Sequence, residues 1–240
     1  MKSIVLKIEP RRDLLLPLSH FHALQGLVYE LLRYDPALSG ELHNKRNGNT
    51  DSLKLFCFSE LHGRHSIEDR KLVFPGPFFF EVRSAVDIIV DTIAERVTRD
   101  SVIKVDGCVC RVSGMWTDSI AFKTGALELR ANTPITAYRT GVDKIRTYYS
   151  PAEREFYEIV SNNLAKKFRL LNGREYEEEF SFSCLSPGRC KKVVARYKGD
   201  YITAFLGDYR LEASGELLDA AYYCGLGGKN SMGFGFIDLK

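Results

Sequence analysis

Tyr29, His43 and Lys54 are the residues of this chain whose types best suit proton transfer without a metal. On a helical wheel of 100° per residue, Tyr29 lies about 130° from the apolar stripe of its helix, near His22 and Arg33. The core does not need a tyrosine there. His43 follows in Glu41-Leu42-His43, just before a polar loop where a substrate could reach a titratable group. Lys54 opens the run Lys54-Leu55-Phe56-Cys57-Phe58-Ser59, from which its amine could point into the same region. A tyrosine, a histidine and a lysine with no carboxylate cluster suit metal-free general acid–base chemistry on a phosphodiester. Spacing alone does not carry that reading, because exposed tyrosines and surface histidines are common. All five histidines precede residue 66: His20, His22, His43, His62 and His65. The pair His62 and His65 could serve a metal hydrolase, but no acidic or cysteine partner stands at a supporting spacing.

A second cluster lies far along the chain. Five glycines, Gly225, Gly227, Gly228, Gly233 and Gly235, crowd one short stretch around Lys229, Asn230 and Ser231. Glycine permits positive φ and close backbone approach, and successive exposed N–H groups can cradle a phosphate. The P-loop spacing fails, since Tyr223 and Asn230 stand where Gly and Ser or Thr are needed. The dinucleotide fingerprint fails too, because this loop joins a helix to a strand rather than a strand to a helix. Gly233 to Leu239 looks like the aromatic RNA-stacking motif, but Met232 and Leu239 depart from it. Two readings remain: a glycine-rich turn with phenylalanines in the core, or an RNA-backbone contact loop.

These candidates need elements to position them. Ser3 to Ile8 alternates like a strand. Ser19 is a plausible N-cap for a helix to about Tyr34, with Leu24, Leu27, Val28, Leu31 and Leu32 on one stripe. A strand at 53–59 follows, then 71–82, broken by Pro75-Gly76-Pro77 into a hairpin or two short strands, a helix at 85–97 and a strand at 107–116. That β-α-β-β-α-β order is the ferredoxin-like unit. The second half repeats it loosely. Strands are expected at 127–139, 144–149, 180–185, 191–197, 202–211 and 234–239, and helices from Pro151 and over 215–223. This half carries more strand than one such unit needs. The expected fold class is α+β, with two tandem ferredoxin-like (RRM-like) domains, 1–118 and 119–240.

Composition bounds the rest. The 240 residues are 45% hydrophobic and 27% charged, which excludes disordered, collagen-like and coiled-coil classes. No apolar run approaches the ~20 residues of a membrane span, and Lys7 interrupts any signal-like segment, so a cytoplasmic protein is expected. Six cysteines without a CxxC pair read as small buried hydrophobes. Split after residue 118, 16 basic and 16 acidic residues balance, while 18 against 15 places the whole +3 excess in the second half. There Arg189, Lys191, Lys192, Arg196 and Lys198 form a run without an acid, read either as a solvated face or as an RNA contact.

The stretches LPLSHFHALQGLVYELL, the following LH, KLFCFS and GLGGKNSMGFGFIDL resemble the CRISPR-associated endoribonuclease family that processes precursor CRISPR RNA, the sixth Cas family within the RAMP superfamily. The resemblance spans most of the chain. It implies two tandem ferredoxin-like domains and a Tyr29, His43, Lys54 active site, with Lys45 competing for the lysine role. The implied reaction is attack of a ribose 2′-OH on the adjacent phosphate, giving a 2′,3′-cyclic phosphate and a 5′-OH. His43 would be the general acid, Tyr29 the base or hydrogen-bond donor, and Lys54 the stabiliser of phosphorane charge. The acid and base could be exchanged. Repeat RNA would be gripped by Lys191, Lys192 and Arg196 and by the loop residues Gly225, Gly227, Gly228, Lys229, Asn230, Ser231, Gly233 and Gly235. No cofactor, metal or membrane is implied. Other interference-complex subunits and a homodimer stay open as partners. The alternative is a non-catalytic RAMP subunit that holds processed RNA.

Overall fold

The computed structural model describes residues 1–33, 54–197 and 199–240, so His43, Lys45 and Lys198 lie outside the described residues. The alternating run after Met1 forms β1 (Lys2–Pro10), with Ile4, Leu6 and Ile8 wholly buried on one face. It is followed by β2 (Leu14–Pro17), α1 (Phe21–Leu32), β3 (Phe56–Phe58), β4 (His62–Gly63), β5 (Ser66–Glu68), β6 (Lys71–Phe74) and β7 (Phe78–Ser84). Then come α2 (Asp87–Arg99), β8 (Val102–Val105) and β9 (Cys108–Asp118). The main antiparallel sheet runs β3-β7-β1-β9-β8, with β4 also on β7. With α1 between β1 and β3, and α2 between β7 and β9, this is the ferredoxin-like order. Pro75-Gly76-Pro77 divides β6 from β7 into different sheets, because β6 joins β2 and β5 instead. Ser19 does not cap α1. His20 holds that position without a side-chain capping bond, and Ser19 Oγ accepts the backbone N–H of Arg196 at 3.3 Å.

The second half holds β10 (Gly125–Ala131), β11 (Tyr138–Thr140), β12 (Arg146–Tyr148), α3 (Arg154–Asn172) and β13 (Ser181–Cys184). It continues with β14 (Lys191–Tyr197), β15 (Asp200–Leu206), β16 (Asp208–Ala213), α4 (Gly215–Cys224) and β17 (Ile237–Leu239). Its main sheet runs β13-β16-β10-β17, the same ferredoxin-like order as in the first half. The surplus strand is two inserted hairpins, β11–β12 and β14–β15. The run expected as one strand over 202–211 breaks at Gly207, and β15 and β16 enter different sheets. Cys190 Sγ stands 2.7 Å from where a Cβ at Gly207 would be, so the break suits a residue without a side chain.

One apolar core draws on residues from Ile4 to Val112, a second on residues from Leu129 to Ile237. A third cluster joins them, with Phe21 of α1 packed among Ala195, Tyr197, Ile202, Ala204 and Phe234. The β14–β15 hairpin therefore seats on the first unit's helix. A polar joint completes the contact. The Arg83 guanidinium on β7 donates to Ile237 O at 2.6 Å and Glu81 at 2.6 Å, between the Tyr222 ring at 3.7 Å and the Phe236 ring at 4.0 Å. No helix among the described residues is long and apolar enough to cross a membrane.

Candidate active site

The glycine-rich loop runs from the end of α4 to β17 and is held in shape from inside. Gly225, Gly227, Gly233 and Gly235 all have positive φ and are buried. At Gly235, with φ +74°, a Cβ would lie 1.9 Å from Leu226 O. At Gly227, with φ +66°, it would lie 2.5 Å from Thr136 O. Asn230 is also buried, and its Nδ2 donates to Leu226 O at 3.0 Å and Phe234 O at 2.9 Å. Backbone N–H groups of Leu226, Gly228, Gly233 and Gly235 donate to protein carbonyls. The loop thus spends much of its backbone on its own shape, and Gly228, Lys229 and Ser231 form its half-exposed rim. Replacing Gly235 by alanine combines a left-handed backbone with a carbonyl clash, and is expected to destabilise the protein by about 2 kcal/mol or more. A urea titration would measure it; an unchanged midpoint would refute this account of the loop.

Lys54 meets that rim. It lines a cavity of about 200 Å³ with Asn163, Lys166, Lys167, Gly228, Lys229 and Ser231. The helix carrying Tyr29 reaches the same loop, where Gln25 Nε2 donates to Ser231 O at 2.7 Å. Gln25 Oε1 in turn accepts the Tyr197 hydroxyl of the β14–β15 hairpin. Tyr29 follows Gln25 by four residues, hence on the same helix face. It is half-buried against the first core, and burial raises its pKa. Lys229 sits with its amine 4.8 Å from the Tyr138 ring centre, and burial followed by the nearby Arg146 charge lowers its pKa.

The basic run divides by strand alternation. Ala195 and Tyr197 turn inward onto Phe21, while Lys192 and Arg196 are exposed with Val194 on the outer face. Lys191 lines a cleft of about 460 Å³ with Arg130, Ser186, Arg189 and Asp208. The two halves meet where Arg83 Nη2 lies 3.5 Å from Asp238, a carboxylate that also accepts Asn132 Nδ2 at 2.8 Å. Beyond that joint, Phe79 and Trp116 stand exposed side by side on the first sheet, their ring centres 6.3 Å apart. Sequence reading did not single out these two aromatics, nor Arg130, Gln25 or the α3 lysines.

The described histidines have local partners. His20 is buried; burial works against its charged form, yet the bond to Glu60 raises its pKa overall. The His22 ring meets Tyr197 edge-on at 5.5 Å. His62 Nε2 lies 3.0 Å from Asn132 Nδ2, and His65 Nδ1 lies 3.1 Å from Gly63 O. Among the described residues no three His, Cys, Asp or Glu side chains gather as metal ligands.

Residues 117–239, just over half the chain, match the family model described as CRISPR associated protein Cas6, C-terminal. The chain belongs to the Cas6 family. A CRISPR-associated endoribonuclease Cas6 of Methanocaldococcus jannaschii is 24% identical over 250 residues, covering 98% of this chain and 91% of the relative. One from Pyrococcus furiosus is 25% identical over 235 residues, covering 93% and 83%. A solved structure titled CRISPR associated protein Cas6 superposes with a TM-score of 0.79 at 21% identity, covering 100% of this chain and 99% of the other. Another, titled an RAMP protein binding different RNA substrates, reaches 0.82 at 18% identity with 100% of both chains covered. The tandem ferredoxin-like architecture of this Cas6 chain therefore agrees with its structural neighbours.

Proposed function

We propose that this chain is a metal-independent endoribonuclease that cuts CRISPR repeat RNA by 2′-OH attack on the adjacent phosphate. The observation that carries the reading is one cavity shared by Lys54 and the Gly228, Lys229 and Ser231 rim, with the Tyr29 helix bonded to that rim. The names of the curated relatives, CRISPR-associated endoribonucleases, support the RNA-cleaving part of that reading. In this scheme His43 protonates the 5′-O leaving group, for which an ordinary pKa near ~6.5 is well placed. Tyr29, its phenol favoured by burial, serves as a hydrogen-bond donor to the phosphate or its nucleophile more readily than as a base. Lys54 stabilises charge on the phosphorane, and Lys229 adds a second cation at the same cavity.

The RNA grip divides between rim and cleft. Lys191, Arg130 and Arg189 hold phosphates along the basic cleft, and Lys192 and Arg196 extend that surface over the hairpin. Phe79 and Trp116 offer exposed rings on which unpaired bases stack. The division of labour follows the boundary near residue 118, with Tyr29, His43 and Lys54 in the neutral half and Lys229 and most of the grip in the basic one.

Incubating the protein with its host's repeat RNA in EDTA tests the reading. Cleavage at a single phosphate, leaving a 2′,3′-cyclic phosphate and a 5′-OH, is the expected result. Tight binding without cutting would instead favour a non-catalytic RAMP subunit, and loss of cutting in EDTA would sink metal independence.

A further inference from the structure

Lys167 is buried in α3, only 8% exposed, on the stripe that Phe156, Val160 and Leu164 otherwise fill with apolar groups. Its ammonium donates to Gly225 O at 2.7 Å and Gly227 O at 3.1 Å. A lysine here is costly, because desolvation opposes its charge and pulls its pKa down to about 8. Its surroundings supply no carboxylate among the groups that shift it; the nearby titratable groups are Cys57 on β3 and Cys224 at the end of α4. Both thiols are buried with pKa values pushed up by burial, so they stay neutral across the physiological range. Lys54, Lys166 and Lys229 line the same cavity as Lys167 and add only positive charge. Among the described residues this buried cation meets no anion; bonded to two carbonyls of one loop, it serves the loop.

We propose that Lys167 is the positioning residue of the glycine-rich loop. By holding the Gly225 and Gly227 carbonyls inward, it presents Gly228, Lys229 and Ser231 to RNA phosphate as one surface. The inference rests on the RNA-binding part of the function proposed above and is independent of catalysis. A charged donor bonds a carbonyl more strongly than a neutral amine does, so deprotonation loosens the loop. Raising the pH through the Lys167 titration therefore weakens RNA binding, although folding stability itself rises over that interval. The sign follows because a lysine whose folded pKa is depressed binds fewer protons than the unfolded chain between the two values.

Fluorescence anisotropy with repeat RNA tests it, using protein that carries His43→Ala to prevent cutting. Between pH 7 and 9.5, Kd is expected to rise about five- to tenfold with Lys167 intact. With Lys167→Met added, affinity is expected to be weak already at pH 7 and nearly flat with pH. Lys167→Arg, which keeps a non-titrating charge, should bind as at pH 7 throughout. An unchanged pH rise in the methionine protein, or no rise with lysine present, would overturn the proposal. Should neither variant fold, Lys229→Met decides: a rise that survives it supports Lys167, and one that vanishes assigns the titration to Lys229. Binding without cleavage by the protein with His43 intact would defeat the nuclease reading and leave this test standing.

Discussion

Alanine in place of His43 is expected to slow cleavage of repeat RNA by about 10²–10⁴-fold under single-turnover conditions, with little change in RNA affinity. The magnitude is that of a general acid removed from a reaction whose leaving group must be protonated. Tyr29→Phe should cost less, because burial keeps the phenol neutral and its proposed role is a hydrogen bond. A 2′-deoxy substitution just upstream of the cut removes the nucleophile itself. It should abolish cleavage and spare binding. Quenched-flow or manual time courses with end-labelled RNA measure all three. A His43→Ala protein that cuts at the normal rate would end the assignment, and continued cutting of the deoxy substrate would refute 2′-OH attack.

The second large effect concerns the joint between the two units. Arg83→Met is expected to destabilise the protein by about 3 kcal/mol or more, the scale of breaking a buried ion pair by removing one partner. The side chain is 4% exposed and its partners come from both halves of the chain. Methionine fills similar volume and keeps contact with the Tyr222 and Phe236 rings, so the loss reports the guanidinium rather than a cavity. Glu81 retains some solvent, which limits the penalty of leaving it unpaired. Urea unfolding followed by circular dichroism would read the change. A loss below about 1 kcal/mol would mean that the joint is held by its rings alone.

What could be read in advance follows a physical line. Apolar patterning gave away both helices of the first unit and its β-α-β-β-α-β element order, because burial of one face imposes a period. The same reading merged β15 with β16, since a run of strand-forming residues carries no mark of which partner each part will take. Gly207 was the one local signal of the change. The glycine-rich loop stood out by composition, but not the fact that most of its glycines serve close packing while a few residues form the rim. Tyr29 could be placed on its helix in advance, whereas Lys54, expected to open a strand, lies in the turn before β3; that Gln25 and Ser231 tie the helix to the rim was not legible, being a contact across 206 positions. Lys167 was hidden in plain view. A lysine at a stripe position in α3 was the visible clue, and periodicity arguments count only the apolar members of a stripe.

The cavity has a consequence for how the chain is made. Lys54 and Lys229, which line it together, stand 175 positions apart in the sequence, 229 less 54. At typical synthesis speeds of ~5–20 residues per second, the ribosome needs on the order of ten seconds or more to cover that distance. Through that interval a nascent chain can fold its first ferredoxin-like unit, yet it still lacks the loop, the hairpin and the buried lysine that complete the cavity. Translation therefore imposes its own delay, and a growing chain lacks the complete cavity until its second unit has emerged.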